Sequence, residues 1–79
     1  MDRELQEYFE TLVETFNTRG WQTFLQDMHD AKEAISVDHI KSTEEFWRMK
    51  GQAEILGRIL RYQETIEATF AEEDDEDVA

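Results

Sequence analysis

The residues of this chain that could carry chemistry are two histidines and the acids around them. His29 lies between Asp27 and Asp30, and Glu33 follows four residues later, so on a helix His29 and Glu33 would share a face. Two such side chains can bind a divalent cation, but protein metal sites need three or four ligands. His39 is a candidate third ligand, whereas a solvated polar helix face explains the same residues. We therefore expect no metal site.

Covalent and acid–base catalysis find little support in the rest of the sequence. The chain has no cysteine, and Ser36 and Ser42 fall in a predicted loop and a predicted helix cap. Carboxylates are abundant, yet nothing marks a pair as buried, and there is no glycine-rich phosphate loop. A helical domain of 79 residues also offers little concave pocket. The sequence predicts a protein that is not an enzyme and that needs no cofactor.

Apolar residues recur at helical spacing along most of the chain, which contains no proline. The first predicted helix carries Leu5, Tyr8, Phe9, Leu12, Val13 and Phe16. A second runs from Trp21 to Ile35 after a very short break. Because Gly20 can adopt the left-handed conformation that ends many helices, we expect an antiparallel hairpin of these two helices. A single kinked rod is the alternative.

The third predicted helix begins at a capping box, in which the Ser42 hydroxyl accepts from the Glu45 amide and the Glu45 carboxylate reaches back to the Ser42 amide. It runs to about Phe70 or Ala71. Two apolar stripes lie on it: Phe46, Met49, Ala53, Leu56 and Leu60, then Ile55, Ile59, Tyr62, Ile66 and Phe70. Together they exceed the roughly 100° that one neighbour covers. Either both lie under the hairpin in a three-helix core, or the back half meets a second copy or another protein.

The predicted fold is therefore all-α, a helical hairpin packed on a long C-terminal helix. Residues 1–71 would form one domain, and the acidic run in 72–79 predicts a disordered tail. Trp47 falls off both stripes and is of the type that concentrates in binding hot spots. The predicted partner interface comprises Trp47, Ile55, Leu56, Ile59, Tyr62, Ile66 and Phe70. The predicted acidic contact surface comprises Glu7, Glu10, Glu14, Glu72, Glu73, Asp74, Asp75, Glu76 and Asp77.

The formal net charge of −12 constrains the class of partner. Residues 1–41 carry nine acids and four bases, residues 42–71 carry five and four, and residues 72–79 carry six acids and no base. Such a chain is a poor direct ligand for nucleic acid phosphates. It is suited to a basic protein surface, whose attraction speeds association.

Two segments have a distinctive pattern: Gly20-Trp21 with Phe24 and Asp27, then Phe46-Trp47 with Lys50-Gly51-Gln52, leading into Ile55-Leu56 and Ile59-Leu60. This pattern resembles that of small uncharacterised proteins encoded by tailed bacteriophages. The resemblance covers about residues 8–72, and those phage proteins end in a similar acidic, helical C-terminus. It implies a phage context and supplies no functional residues.

Two functions fit these expectations. The first is a non-catalytic phage protein in virion structure or assembly, a homo-oligomer or the partner of another phage or host protein. The second is an acidic inhibitor of a host nucleic-acid-binding protein or enzyme, whose carboxylates stand in for phosphates. With no apolar run long enough for a membrane span and no signal peptide at the N-terminus, we expect no membrane contact and a place in the host cytoplasm or the virion.

Overall fold

The computed structural model describes the backbone of residues 1–78 and the side chains of residues 1–74. Over these residues the chain contains no strand and is almost entirely helical. Its elements are α1 (Arg3–Phe16), α2 (Arg19–Glu33), a 3-10 turn (Val37–His39), α3 (Thr43–Leu60) and α4 (Tyr62–Val78). The prediction of an all-α protein is confirmed.

The four helices form two arms that run antiparallel to each other. α2 packs on α3 and α1 packs on α4, whereas α1 meets α2 only around their junction. Ring contacts fix the register of the second pair, with centroids 5.1 Å apart for Phe9 and Phe70 and 5.9 Å for Phe16 and Tyr62. The molecule measures 53 × 27 × 16 Å. It is one elongated helical hairpin whose turn is the segment 34–42.

The first two helices do not form the predicted hairpin, and the chain follows the kinked-rod alternative. Thr18 is the N-cap of α2, because its hydroxyl accepts a hydrogen bond from the Trp21 amide at 3.1 Å. Gly20 consequently lies inside the first turn of α2, and no glycine in the described backbone has a positive φ. A threonine cap two residues before Gly20 therefore restarts the helix at once.

The predicted third helix is divided at Arg61, which has φ −96° and ψ 0°. The interruption is local, since the amides of Arg61 and Thr65 still donate to the carbonyls of Gly57 and Arg61 at 3.1 and 2.9 Å. It lies opposite the junction of α1 and α2. The two arms thus change direction at the same level, where α3 stops packing on α2 and α4 starts packing on α1.

The acidic run continues α4 to Val78, so the predicted disorder of residues 72–79 is not confirmed. No glycine or proline follows Gly57 to stop the helix, and glutamate is a good helix former. Ala79 and the side chains of Asp75, Glu76 and Asp77 lie outside the described residues.

The buried core is small and lies between α1 and α4. Phe9 and Phe16 are each 2% exposed and Ile66 is 9% exposed, and they are the only buried large apolar side chains among those described. Five half-buried residues pack around them: Met1, Leu5, Leu12, Trp21 and Phe70. A core of this size contributes little stability to a chain of 79 residues.

The cap of α3 gives a first testable prediction. The Glu45 amide donates to the Ser42 hydroxyl at 3.1 Å, as predicted, but the Glu45 carboxylate accepts from the Lys41 amide at 2.8 Å instead of that of Ser42. Changing Ser42→Ala should lower the free energy of unfolding by about 1 kcal/mol in a urea titration followed by circular dichroism. Ser36→Ala, at the short 3-10 turn, is the control and should cost less.

Candidate protein-binding surface

The residues with potential metal or acid–base chemistry lie on open surface. The Nε2 of His29 is 3.0 Å from Glu33 Oε1, with the two side chains 51% and 69% exposed. His39 ends the 3-10 turn, beyond α2. Within the described residues, no three His, Asp or Glu side chains come together in a way that could hold a metal ion. The pair can form an exposed helix contact of the weak, solvent-screened kind.

The main feature of the surface is an apolar stripe along the outer side of α3. Trp47, Gly51, Ile55 and Arg58 follow one another at intervals of four, four and three residues, which places them on one face of α3. Tyr62, the first residue of α4, follows four residues after Arg58. Trp47 is 59% exposed, Ile55 53% and Tyr62 37%. We call this set the α3 stripe. Large apolar side chains left open in a row are characteristic of interaction surfaces.

A groove between α2 and α3 runs beside the α3 stripe. Its volume is about 660 Å³, and its lining is almost wholly apolar: Ala31, Ile35, Gly51, Gln52, Ile55 and Leu56. A second groove of about 300 Å³ follows toward the bend, lined by Trp21, Phe24, Arg58, Ile59 and Tyr62. Ile55 of the first groove and Ile59 of the second are one turn apart on α3, so the two grooves lie next to each other along the helix.

Trp47 stands at the loop end of the α3 stripe. Its ring packs edge-on against Phe46 at 5.3 Å, and the Lys50 ammonium lies 5.0 Å from the ring centroid. These contacts come from its own helix and fix the orientation of the indole. A large, oriented and exposed indole is well suited to anchor a partner.

The structure divides the predicted interface residues into two groups. Besides the exposed Trp47, Ile55 and Tyr62, the half-buried Leu56 and Ile59 line the two grooves. These five residues therefore lie on or beside one surface.

Ile66 and Phe70 belong to a different environment from the one predicted. Ile66 is buried, and Phe70 packs against Phe9, so both cover α1 within the same chain. The cause is the change of packing partner at Arg61, which turns the back half of the second stripe toward α1.

Sequence reasoning missed the contribution of α2 to this surface. Phe24, Ala31 and Ile35 line the two grooves, and Phe24 is 40% exposed. Their spacing of seven and four residues places them on one face of α2 and was the available signal. Gly51 was a further sequence signal of a surface at this place, because glycine is unfavourable inside a helix and Gly51 borders the larger groove.

Aromatic contacts at the bend join this surface to α1. The Trp21 indole N–H donates to Gln63 Oε1 at 3.0 Å, which ties α2 to α4. A hydrogen bond with Tyr8 raises the pKa of Tyr62 above its ordinary value, and burial adds to the shift. The ring of Phe16, on α1, lies 5.9 Å from that of Tyr62 between centroids, which joins α1 to the end of the α3 stripe.

The residues of the predicted acidic contact surface lie on α1 and α4. Glu7, Glu10 and Glu14 are exposed on α1, where Glu7 pairs with Arg3 at 3.3 Å and Glu10 accepts from Gln6 at 3.0 Å. On α4, Glu72 and Asp74 are exposed and Glu73 is half-buried. Because α1 and α4 pack together, these two acidic groups belong to one end of the molecule.

Charge is strongly segregated between the two ends of the hairpin. Residues 1–16 carry five acids and one base, and residues 62–79 carry eight acids and no base. The intervening residues 17–61 carry seven acids and seven bases. The full net charge of −12 therefore belongs to the α1–α4 end. The α2–α3 end, which holds the apolar grooves, is neutral.

None of the described helices is both long enough and apolar enough to cross a membrane. Comparisons with protein-family models, with curated proteins and with solved structures find no match to this chain.

Proposed function

We propose that this chain is a non-catalytic protein that binds other helices through the α3 stripe and the grooves beside it. The observation that carries this proposal is the distribution of apolar side chains. Among the side chains of residues 1–74, eight large apolar ones are at least 36% exposed, against three that are buried. The exposed members include Trp47 and Ile55 at the neutral end, where no like-charge repulsion opposes contact.

The proposed setting is virion structure or assembly in a tailed phage. The support for it is the resemblance of the Gly20-Trp21 and Lys50-Gly51-Gln52 segments to small phage proteins. An assembly protein needs a surface that forms repeated contacts with itself or with another structural protein. The α2–α3 end offers such a surface, in the host cytoplasm or in the particle.

Replacing Trp47 with alanine tests this function. Particles from infected cells that express a tagged chain should contain it at a fixed copy number, measured by quantitative mass spectrometry. Trp47→Ala should reduce that number at least about ten-fold, because hot-spot tryptophans contribute on the order of 2 kcal/mol or more. The variant should keep its helix content, since Trp47 is 59% exposed and its ring contacts with Phe46 and Lys50 lie within its own helix.

Val13→Ala is the control, since this side chain is also exposed but lies on α1, beside Glu10 and Phe70 and away from the α3 stripe. It should leave the copy number close to that of the unmodified chain. Absence of the unmodified chain from particles and from assembly intermediates would refute the proposed setting.

The charge segregation favours one alternative, an acidic inhibitor of a host nucleic-acid-binding protein. In that case the α1–α4 end, with Glu7, Glu10, Glu14 and the acids from Glu72 onward, would contact a basic groove. Affinity for such a protein should fall steeply as salt rises. Removal of residues 72–79 should weaken this binding, whereas Trp47→Ala should leave it unchanged.

A further inference from the structure

The α3 stripe has a symmetry that suits contact with an identical chain. Within α3 itself, with Glu44 added and Tyr62 of α4 left out, it reads Glu44, Trp47, Gly51, Ile55, Arg58, with intervals of three, four, four and three residues. The intervals are the same in both directions from Gly51. If two α3 helices cross antiparallel at Gly51, Trp47 of each lies opposite Ile55 of the other, and Glu44 opposite Arg58. A two-fold contact requires this reciprocal matching.

The charges and apolar groups in this register are complementary. Glu44 and Arg58 are exposed, and neither forms an ion pair with any side chain that the structure describes. An antiparallel second copy would supply each with an opposite charge. Trp47 of the second copy would stand beside Ile55, at the edge of the 660 Å³ groove, and could fill part of it.

Gly51 has no role inside the single chain that requires glycine. A Cβ at this position would meet no atom within 4 Å, and glycine is less favourable than alanine inside a helix. Its φ is not positive, so backbone conformation does not explain it either. At the centre of the stripe, the missing side chain allows the backbone of a second helix to approach closely.

Charge selects the end at which two copies can meet. The α1–α4 ends carry the full −12 each and would repel one another, whereas the α2–α3 ends are neutral. The α2–α3 pair is about 20 Å wide and the stripe is roughly 25–30 Å long, so each copy presents on the order of 500–600 Å². The area buried on both copies together lies just above the roughly 1,000 Å² that a biological interface should exceed.

We infer that a second copy of this chain packs antiparallel on α3, with the two-fold axis at Gly51 and Trp47 of each copy against Ile55 and the α2–α3 groove of the other. This inference rests on the proposed function and names its first partner. It also supplies the apolar burial that the small core of the single chain lacks.

A charge exchange between Glu44 and Arg58 tests the register. By sedimentation velocity over a wide concentration range, Glu44→Arg and Arg58→Glu should each raise the dimer dissociation constant about ten-fold or more, because each homodimer then has two like-charge pairs. An equimolar mixture of the two variants should restore the affinity to within about three-fold, since both cross-pairs become opposite in sign. Residues 44 and 58 are too far apart along α3 for rescue within one chain.

Cysteine cross-linking provides a second readout that does not depend on charge. The chain has no natural cysteine, so Gly51→Cys introduces a single thiol at the proposed axis. A disulfide needs Cα atoms within about 7 Å of each other, and the proposed crossing brings position 51 of the two copies that close. Gly51→Cys should therefore form a covalent dimer on mild oxidation. Thr23→Cys, on exposed surface of α2, is the control and should cross-link far more slowly. Circular dichroism verifies that all variants keep their helices.

The outcomes separate this inference from the proposed function. A monomer at every concentration, or a mixture that shows no rescue, overturns the antiparallel dimer. If the chain is monomeric but Trp47→Ala still prevents incorporation into particles, the α3 stripe binds a different protein and the proposed function stands. If Trp47→Ala also has no effect on incorporation, both are wrong.

Discussion

Changing Phe16→Ala is expected to abolish cooperative unfolding of this chain. Phe16 is 2% exposed, and its ring lies 5.0 Å from Trp21 and 5.9 Å from Tyr62. Its backbone carbonyl also accepts from the Gln22 side chain at 3.3 Å. The residue thus holds α1, α2 and α4 together where both arms bend. Truncating a buried phenylalanine costs about 3–5 kcal/mol, which is comparable to the full stability of a domain this small.

Thermal and urea unfolding followed by circular dichroism would measure this effect. Phe46→Ala removes the same atoms at a residue that is 41% exposed and should cost less than half as much. Equal losses for Phe16→Ala and Phe46→Ala would contradict the assignment of the core to the α1–α4 contact.

The helices were predictable because their apolar spacing is regular and their caps are local. The stripe on the first helix ends at Phe16, where α1 also ends. The Ser42 cap correctly gives the first residue of α3 as Thr43. Both features depend on residues within one or two turns of each other, so sequence periodicity is sufficient to find them.

The arrangement of the helices was not predictable in the same way. Gly20 suggested a chain reversal, but Thr18 caps a new helix that continues the same arm. The reversal occurs instead in segment 34–42, which contains no glycine or proline. Local signals therefore gave the position of the break between α1 and α2 correctly but the direction of the chain after it wrongly. That direction depends on which apolar faces pack together.

The interruption at Arg61 has no local signal either. The residue at the interruption is an arginine, whereas a kink is usually caused by a proline or a glycine. The interruption depends on the opposite arm, where Phe16 and Trp21 contact Tyr62. For the same reason Ile66 and Phe70 were assigned to a partner, although α1 covers them.

Half of the proposed binding surface was predicted from the sequence and half required the fold. Ile55 and Tyr62 were predicted because one helix carries more apolar surface than one neighbour covers, and Trp47 because it falls off both apolar stripes. The grooves depend on α2, which lies against α3 only because the chain turns after Ala34. The neutrality of that end likewise emerges only when residues 17–61 are seen as one half of the hairpin.

The largest effect on binding is expected from Ile55→Asp. Ile55 is 53% exposed within the α3 stripe, so in the single chain the new carboxylate would point into water. The helix content and the unfolding midpoint should change little. In the interface, however, the carboxylate would lie against an apolar groove with no partner, and burying an unpaired charge is very unfavourable.

Association should therefore weaken by about 100-fold or more, measured as the dimer dissociation constant and as copy number in particles. The adjacent residue provides the comparison. Leu56 is half-buried between α3 and α2, so Leu56→Asp should destabilise the fold itself and lower the unfolding midpoint. The two adjacent variants are thus expected to differ: Ile55→Asp loses binding and keeps the fold, whereas Leu56→Asp loses the fold. If Ile55→Asp leaves both association and incorporation intact, the α3 stripe is not the binding surface.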